Sequence, residues 1–225
     1  MPDFSALSAR IDGRLLTPSE PRFAEEVAGF NTVVVQAPDA VVTATTADHV
    51  LEAVRFAREH RLPVRVQATG HGAIDPASSG ILINTSGLDD LTIDPQTRVA
   101  TIGAGVRWAA VVEAAAPLGL TPIAGSSTNV GVVGLVPGGG LGPLSRSHGF
   151  AADYVRGFTV VTGLGELVEA TAEENPELFW ALRGGKGGLG VVTEVRIELV
   201  ELSDLYAGTL FFEERHIEQA LRAWV

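Results

Sequence analysis

A histidine among glycines is the part of this sequence whose residue types could do chemistry, in the run Thr69-Gly70-His71-Gly72. A second glycine-rich stretch follows at residues 130–142. Glycines this dense leave backbone N–H groups uncovered, so a large anionic cofactor can lie directly against them. The imidazole of His71 could bond covalently to such a cofactor. Together, the two stretches indicate a flavin site and oxidation chemistry.

Composition limits the classes of partner and site. The net charge of −11 argues against nucleic acid, because no basic field would attract phosphates. The chain has no cysteine, and its five histidines lack metal-ligand spacing, so no metal site is expected. No apolar run suits secretion or a membrane span, which predicts a cytoplasmic protein with no membrane partner. An anionic cofactor would need backbone dipoles, since lysine is scarce and the arginines are dispersed.

Hydrophobic periodicity predicts an α+β chain with many short strands. Strands are expected at residues 31–36, 40–44, 63–68, 81–84, 91–94, 98–102, 158–162, 166–171, 191–200 and 207–212. A helix capped by Thr46 is expected to run to about His60, and others at residues 106–118, 175–183 and 216–225. The last helix has neither cap nor stop signal, so we expect the chain to continue beyond Val225. In this arrangement His71 lies in the loop that follows strand 63–68.

Other motifs of the sequence fit their usual functions poorly. Residues 185–190 match GxGxxG, but a helix precedes them and a strand follows, the reverse of a dinucleotide-binding turn. Lys186 is not followed by Ser or Thr, so this is not a phosphate-binding P-loop. No G-x-S-x-G hydrolase elbow exists. For His71 itself, the alternative to a cofactor bond is a structural hydrogen bond within its loop.

Four stretches, taken in order, resemble the FAD-binding domain of the vanillyl-alcohol-oxidase superfamily, also called the PCMH-type fold. They are residues 30–59, 69–94, 125–155 and 175–199. They are most similar to the berberine-bridge-enzyme-like oxidases and, among bacterial members, to the hydroxynicotine-oxidase type. The resemblance covers most of residues 22–200.

The resemblance implies an α+β fold of two α/β subdomains with FAD between them. Residues 1–203 would form this domain, with subdomains at about 20–100 and 101–203, the second built on a mixed sheet. Residues 204–225 would begin a truncated substrate domain, which in the family covers the flavin face.

The resemblance also implies the roles of individual residues. The segment from Val66 to His71 would wrap the FAD pyrophosphate with backbone N–H groups, and His71 would form an 8α-N-histidyl bond to the isoalloxazine. Residues 126–134 would pass under the isoalloxazine and pyrophosphate. The full cofactor-binding set comprises Val66, Ala68, Thr69, Gly70, His71, Gly72, Ser127, Thr128, Val130, Gly131, Gly134, Gly138, Gly139, Gly140, Gly142, Gly190, Val191 and Val192. The last two would contact the adenine end. Asp153 matches a family aspartate whose role is either structural or in binding.

Four departures from the family pattern bear on flavin attachment. Ser127 occupies the position of a cysteine that forms a second flavin bond in some members, so no thioether can form. Gln67 stands where many relatives have arginine, and His148 replaces a common tyrosine. Thr69 replaces a glycine beside the histidine. A single histidyl link through His71 is compatible with all four.

The implied function is that of an FAD-dependent oxidoreductase, specifically an oxidase. It would pass hydride from a C–H of an alcohol, amine or sugar-like small molecule to flavin N5, and dioxygen would reoxidise the flavin. No catalytic residue is assigned, because the substrate contacts would lie in the second domain. One alternative is a non-catalytic FAD-binding fragment, or half of a split enzyme whose partner chain covers Phe211, Phe212 and Trp224. Another is a sugar-nucleotide binder without flavin.

Overall fold

The computed structural model describes residues 2–12, 14–202, 204–206 and 208–224, and two β-sheets account for most of its strands. In chain order the strands are β1 (Leu15–Leu16), β2 (Ala40–Thr43), β3 (Val64–Gln67), β4 (Ile81–Asn84), β5 (Leu91–Asp94), β6 (Val99–Gly103), β7 (Leu120–Thr121), β8 (Val155–Val161), β9 (Leu167–Ala170), β10 (Val191–Glu198) and β11 (Val200–Glu201). The α-helices are α1 (Ser5–Arg10), α2 (Phe23–Val27), α3 (Ala47–His60), α4 (Trp108–Ala115), α5 (Val132–Leu135), α6 (Ser145–His148), α7 (Pro176–Leu182) and α8 (Ile217–Trp224).

The first sheet is mixed and has the strand order β1-β2-β4-β3. Strands β2, β4 and β3 run parallel, whereas β1 pairs antiparallel with β2. Strand β4 is buried along its whole length, as is typical of a parallel strand covered on both faces. Strand β3 lies at the sheet edge, and its carboxyl end leads directly to His71.

The second sheet has the order β5-β6-β10-β8-β9, and all four pairings are antiparallel. The mixed sheet predicted for this subdomain is therefore wrong. The hairpins β5–β6 and β8–β9 make their own strands antiparallel neighbours, and β10 runs antiparallel to both strands beside it. The sheet already begins at Leu91, and its core includes the fully buried Trp108 of α4 and Phe158 of β8.

Helix α3 connects the two sheets. It begins where the Thr46 hydroxyl accepts the His49 N–H at 3.3 Å, and it ends at Arg61, which adopts a left-handed conformation with φ +54°. Its buried Val54 belongs to one hydrophobic cluster with Val161 of β8 and Val191 of β10. Arg55 Nε also donates to the Gly165 carbonyl at 2.9 Å. The predicted helix is confirmed, and it packs against strands of both sheets.

Two predicted strands are wrong. Residues 31–36 form turns and irregular chain, and Val33 is 89% exposed. Here the Asn31 side chain accepts the Val33 N–H at 3.2 Å, and the Gln36 side chain accepts the Ala77 N–H at 2.6 Å, so side-chain hydrogen bonds shape the segment. Of the predicted strand 207–212, Ala207 lies outside the described residues and the remainder is not a strand. Among the described helices, none has the length and apolarity that a bilayer crossing requires.

Candidate functional site

A cleft of about 740 Å³ lies between the two sheets. Val54 of α3 and Val66 of β3 line one side, and Val161 of β8 and Val191 of β10 line the other. Its volume is within the range of about 300–1,000 Å³ that is usual for small-molecule and cofactor sites. The cleft is therefore lined by strands of both sheets and by helix α3, which packs against both sheets.

The structure brings one third of the predicted cofactor residues to this cleft. Those that line it are Val66, Ala68, Gly134, Gly190, Val191 and Val192. Lining residues that sequence reasoning missed include Thr85, Val133, Pro137, Thr162, Gly163, Lys186, Gly187 and Gly188. Lys186, Gly187 and Gly188 belong to the GxGxxG match of residues 185–190, whose order of elements excludes a dinucleotide-binding turn, and Val133 lies within the segment 126–134. The others come from parts of the chain that meet only after folding, so their spacing in the sequence carries no signal.

The segment from Thr69 to Gly72 extends from the Ala68 end of the cleft. Gly70 has φ +72°, and a Cβ built there would lie 2.6 Å from the Gly29 Cα, so both the conformation and the close approach require glycine. The backbone N–H groups of Thr69, Gly70, His71 and Gly72 donate no hydrogen bond within the described part of the chain. Four neighbouring donors are thus available to an anion.

The His71 ring is held from two sides. It stacks on Phe30 with ring centroids 3.9 Å apart and an angle of 10° between the planes. Its Nδ1 lies 2.8 Å from the Thr69 hydroxyl oxygen. Nδ1 is thereby engaged, and Nε2 has no hydrogen-bond partner among the described residues. The structural hydrogen bond considered as the alternative for His71 does exist, and it leaves one ring nitrogen free.

Residues 127–131 lie beside this segment and outside the cleft lining. A Cβ built on Gly131 would be 3.6 Å from the Thr69 Cγ2. The carbonyls of Thr128 and Val130 accept the N–H groups of Ala109 and Trp108 at 2.9 and 3.1 Å. The start of α4 therefore anchors this loop, and Ser127 and Thr128 are exposed on it.

The glycines from Gly138 to Gly142 divide into two kinds. A Cβ on Gly139 would meet nothing within 4 Å and one on Gly138 would make ordinary contact with the Lys186 side chain, whereas a Cβ on Gly140 would meet the Ala151 side chain and one on Gly142 would collide with the Ala124 carbonyl oxygen. The Gly142 N–H already donates to the Ser145 hydroxyl at 2.8 Å. Gly140 and Gly142 therefore serve packing in this structure, and neither lines the cleft.

The remaining positions compared with the family pattern are Gln67, His148 and Asp153, and each makes hydrogen bonds within the chain. Gln67 is buried, and its side-chain amide donates to the carbonyls of Val27 and Ala28 at 3.2 and 3.1 Å. The Asp153 carboxylate accepts the Phe150 N–H at 2.8 Å, and the His148 carbonyl accepts the Tyr154 hydroxyl at 2.9 Å. These contacts give Asp153 a structural role at the turn that precedes β8.

The charge of the cleft differs from that of the whole protein. Its lining includes Arg58, Arg65 and Lys186, and among the described residues that form it there is no Asp or Glu. The chain as a whole carries 27 acidic and 16 basic residues. The cleft is thus a cationic site on an acidic protein, which favours an anionic ligand. Within the described ranges, no group of three His, Cys, Asp or Glu side chains could hold a metal ion.

Comparisons with known proteins agree with this geometry. A family described as an FAD binding domain matches residues 38–171. The chain is 34% identical over 194 residues to (R)-6-hydroxynicotine oxidase of Paenarthrobacter nicotinovorans, covering 85% of this chain and 42% of that protein. It is 37% identical over 174 residues to an FAD-dependent monooxygenase of Fusarium proliferatum, covering 76% and 34%. The chain therefore spans less than half the length of these two relatives.

Solved structures show the same fold. The crystal structure of 6-hydroxy-D-nicotine oxidase from Arthrobacter nicotinovorans superposes with a TM-score of 0.82 at 32% identity, covering 89% of this chain and 44% of that one. A berberine-bridge-enzyme-like protein of Physcomitrella patens also gives 0.82, at 25% identity, covering 89% and 45%. These matches confirm the α+β PCMH-type fold.

Proposed function

The chain belongs to the family of FAD-binding domains, and on this premise we propose that it is the cofactor-binding part of an FAD-linked oxidase of small molecules. FAD is the cofactor of the family. What supports the proposal is the cleft between the two sheets, cationic in its lining and bordered by backbone N–H groups with no partner in the described chain.

The residues present fit FAD in shape and chemistry. Cβ atoms built on Gly134, Gly187 and Gly188 would meet nothing within 4 Å, so the cleft has room along its glycine-lined wall. Val54, Ala57 and Leu62 offer an apolar surface for aromatic rings. The free N–H groups of residues 69–72 suit a pyrophosphate, since backbone donors in glycine-rich loops bind phosphate without competing side chains.

Within this proposal, each segment has a distinct task. Backbone groups between Val66 and Gly72 bind the pyrophosphate, residues 127–134 support the isoalloxazine, and the backbone at Val191 and Val192 contacts the adenine end. Gly190 permits the turn into β10, having φ +130°. Gly140 and Gly142 instead hold the neighbouring loop in place.

His71 is proposed as the single covalent anchor of the flavin. Ser127 cannot form a thioether, and Thr69 engages the Nδ1 of His71. Attachment would therefore use Nε2, with the stack on Phe30 fixing the ring plane. The neutral imidazole is the nucleophile, and the Thr69 hydroxyl oxygen can accept a hydrogen bond from a proton on Nδ1, which leaves the Nε2 lone pair free.

The substrate class proposed is an alcohol, amine or sugar-like molecule. When bound, FAD would take two electrons and a proton from a substrate C–H and pass the electrons to dioxygen. Relatives named (R)-6-hydroxynicotine oxidase and, among solved structures, a carbohydrate oxidase of Microdochium nivale with a TM-score of 0.79 at 26% identity support this range. The relatives' names do not favour a non-catalytic fragment or half enzyme.

Residues 204–225 are proposed as the start of a substrate-binding domain. In support, the apolar side chains of this region are exposed, with Phe211 at 91% and Trp224 at 85%. Val225, like Ser203 and Ala207, lies outside the described residues, and the proposal rests on the exposed side chains alone. The substrate contacts and a catalytic base are expected beyond this FAD-binding part.

A cleft-filling substitution tests the location of the site. Gly134→Leu should place its side chain in the cleft without backbone strain, because the position is helical and open. In the His71→Ala background, where binding is reversible, we expect it to weaken FAD binding by roughly tenfold or more while the far-ultraviolet circular dichroism is retained. Gly208→Leu is the matched control, at another open glycine outside the cleft lining. Equal FAD affinity in both variants would contradict this location.

A further inference from the structure

Lys186 is the single lysine of the chain, and its side chain lies at the junction of three glycine loops. A Cβ built on Gly138 would be 3.5 Å from its Cδ, and one on Gly72 would be 3.3 Å from its Nζ. The side chain therefore runs past Gly138 towards the segment whose N–H groups are free. The bond from the Lys186 N–H to the Pro137 carbonyl, at 2.9 Å, fixes the base of this arm.

The ammonium group of Lys186 is available for a ligand. Of the other cations in the cleft, Arg65 pairs with Asp75 at 2.8 Å and Arg58 donates to the Leu164 carbonyl at 3.0 Å. Within the described residues, the Lys186 ammonium makes neither an ion pair nor a hydrogen bond, and no carboxylate lines the cleft beside it.

The backbone position of Lys186 is an unusual one for a lysine. The residue adopts φ +58°, a left-handed conformation that costs a residue with a Cβ more than glycine. Its neighbours Gly185, Gly187 and Gly188 are all glycine, so Lys186 carries the one side chain between Gly184 and Gly188.

We propose that Lys186 binds the pyrophosphate of FAD and supplies positive charge that the backbone donors of residues 69–72 lack. The proposal rests on FAD occupying the cleft. A lysine acts on phosphate as a mobile point charge, and this one reaches the free N–H groups from the opposite loop. Lys186 is a positioning residue for the cofactor and takes no part in bond making or breaking.

Substitution of the lysine, read by FAD affinity, tests this assignment. The His71→Ala background keeps binding reversible, and flavin fluorescence then gives the dissociation constant. At about 0.05 M salt we expect Lys186→Gln to weaken FAD binding about tenfold, equal to ~1.4 kcal/mol, and Lys186→Arg to weaken it less. At about 1 M salt, where screening acts within about 3 Å, the difference should shrink. Arg222→Gln, which removes one charge from an exposed helix, should match the parent.

A stability measurement separates binding from a structural role. Lys186→Gly relieves the left-handed backbone, so the FAD-free variant should melt at the same temperature as the parent or higher, yet bind FAD more weakly. If Lys186→Gln and Arg222→Gln bind FAD equally at both salt concentrations, the assignment is wrong while the FAD site stands. If the parent with Lys186 intact binds no FAD, both proposals fail.

Discussion

Three neighbours of His71 determine the orientation and hydrogen bonding of its imidazole ring and the path of its loop. Phe30 fixes the ring plane, Thr69 engages Nδ1, and Gly70 allows the tight approach of the loop to Gly29. Thr69 places a hydroxyl oxygen 2.8 Å from Nδ1, so a side chain of the same loop distinguishes the two ring nitrogens. The arrangement gives His71 one free nitrogen in a defined direction.

Replacing His71 tests the proposed covalent link to the flavin and should leave the fold intact. His71→Ala removes the nucleophile from a partly exposed loop, so flavin should move from the acid-precipitated pellet to the supernatant. His216→Ala, at an exposed histidine elsewhere, is the control and should keep flavin in the pellet. Mass spectrometry of the flavin-bearing peptide gives the site directly. Flavin that stays in the pellet of His71→Ala would exclude His71 as the link.

The sequence alone could identify a candidate functional residue where the residue type is itself reactive. The histidine in its glycine run stood out from the sequence, and the structure adds the contacts that orient it. The sequence alone did not assign a role to Lys186. A P-loop lysine binds phosphate, but Lys186 is not followed by Ser or Thr, so that motif does not apply. The proximity of Lys186 to Gly72 arises from loops more than a hundred positions apart, so no local pattern contains it, although its being the only lysine was a usable signal.

At the scale of elements, the loop from Gly138 to Gly142 shows that glycine density has two causes. Gly142 approaches the Ala124 carbonyl closely, whereas Gly134 on α5 faces open space in the cleft. A sequence motif cannot distinguish these, because it does not show whether another part of the folded chain lies against the glycine.

Alanine substitution distinguishes the two kinds of glycine. Gly142→Ala should lower the free energy of unfolding by about 1–3 kcal/mol, the usual range for forced overpacking, while the folded fraction keeps its FAD affinity. Gly134→Ala should leave stability unchanged or raise it slightly, since alanine favours helix. Chemical denaturation measures the first quantity and flavin fluorescence the second. A Gly142→Ala variant of unchanged stability would contradict the packing role.

Secondary structure was predictable where burial and periodicity agree. Helix α3 and strand β4 match their predicted ranges closely because an apolar stripe or a continuous apolar run defines each of them. The valines of residues 31–36 misled the prediction, since Asn31 and Gln36 direct that segment through side-chain hydrogen bonds. The antiparallel order of the second sheet depends on long-range pairing, which short-range patterns do not report.

At the scale of the whole molecule, FAD would bind between two sheets that are otherwise joined mainly through α3 and its hydrophobic cluster. A ligand that binds only the folded state stabilises it in proportion to the logarithm of its concentration over its dissociation constant. Bound flavin should therefore stabilise both sheets together. The overall architecture followed from the family resemblance, whereas the cationic cleft on an acidic chain emerged only from the fold.

The absorption spectrum of the purified protein shows whether this chain holds FAD in the cleft between its sheets. We predict flavin bands near roughly 370 and 450 nm, with one flavin per chain either as purified or after addition of FAD. Bands confined to the acid-precipitated pellet would add a covalent flavin bond, which the His71→Ala variant then assigns. A folded but colourless protein that takes up no added FAD would show that the cleft is not an FAD site.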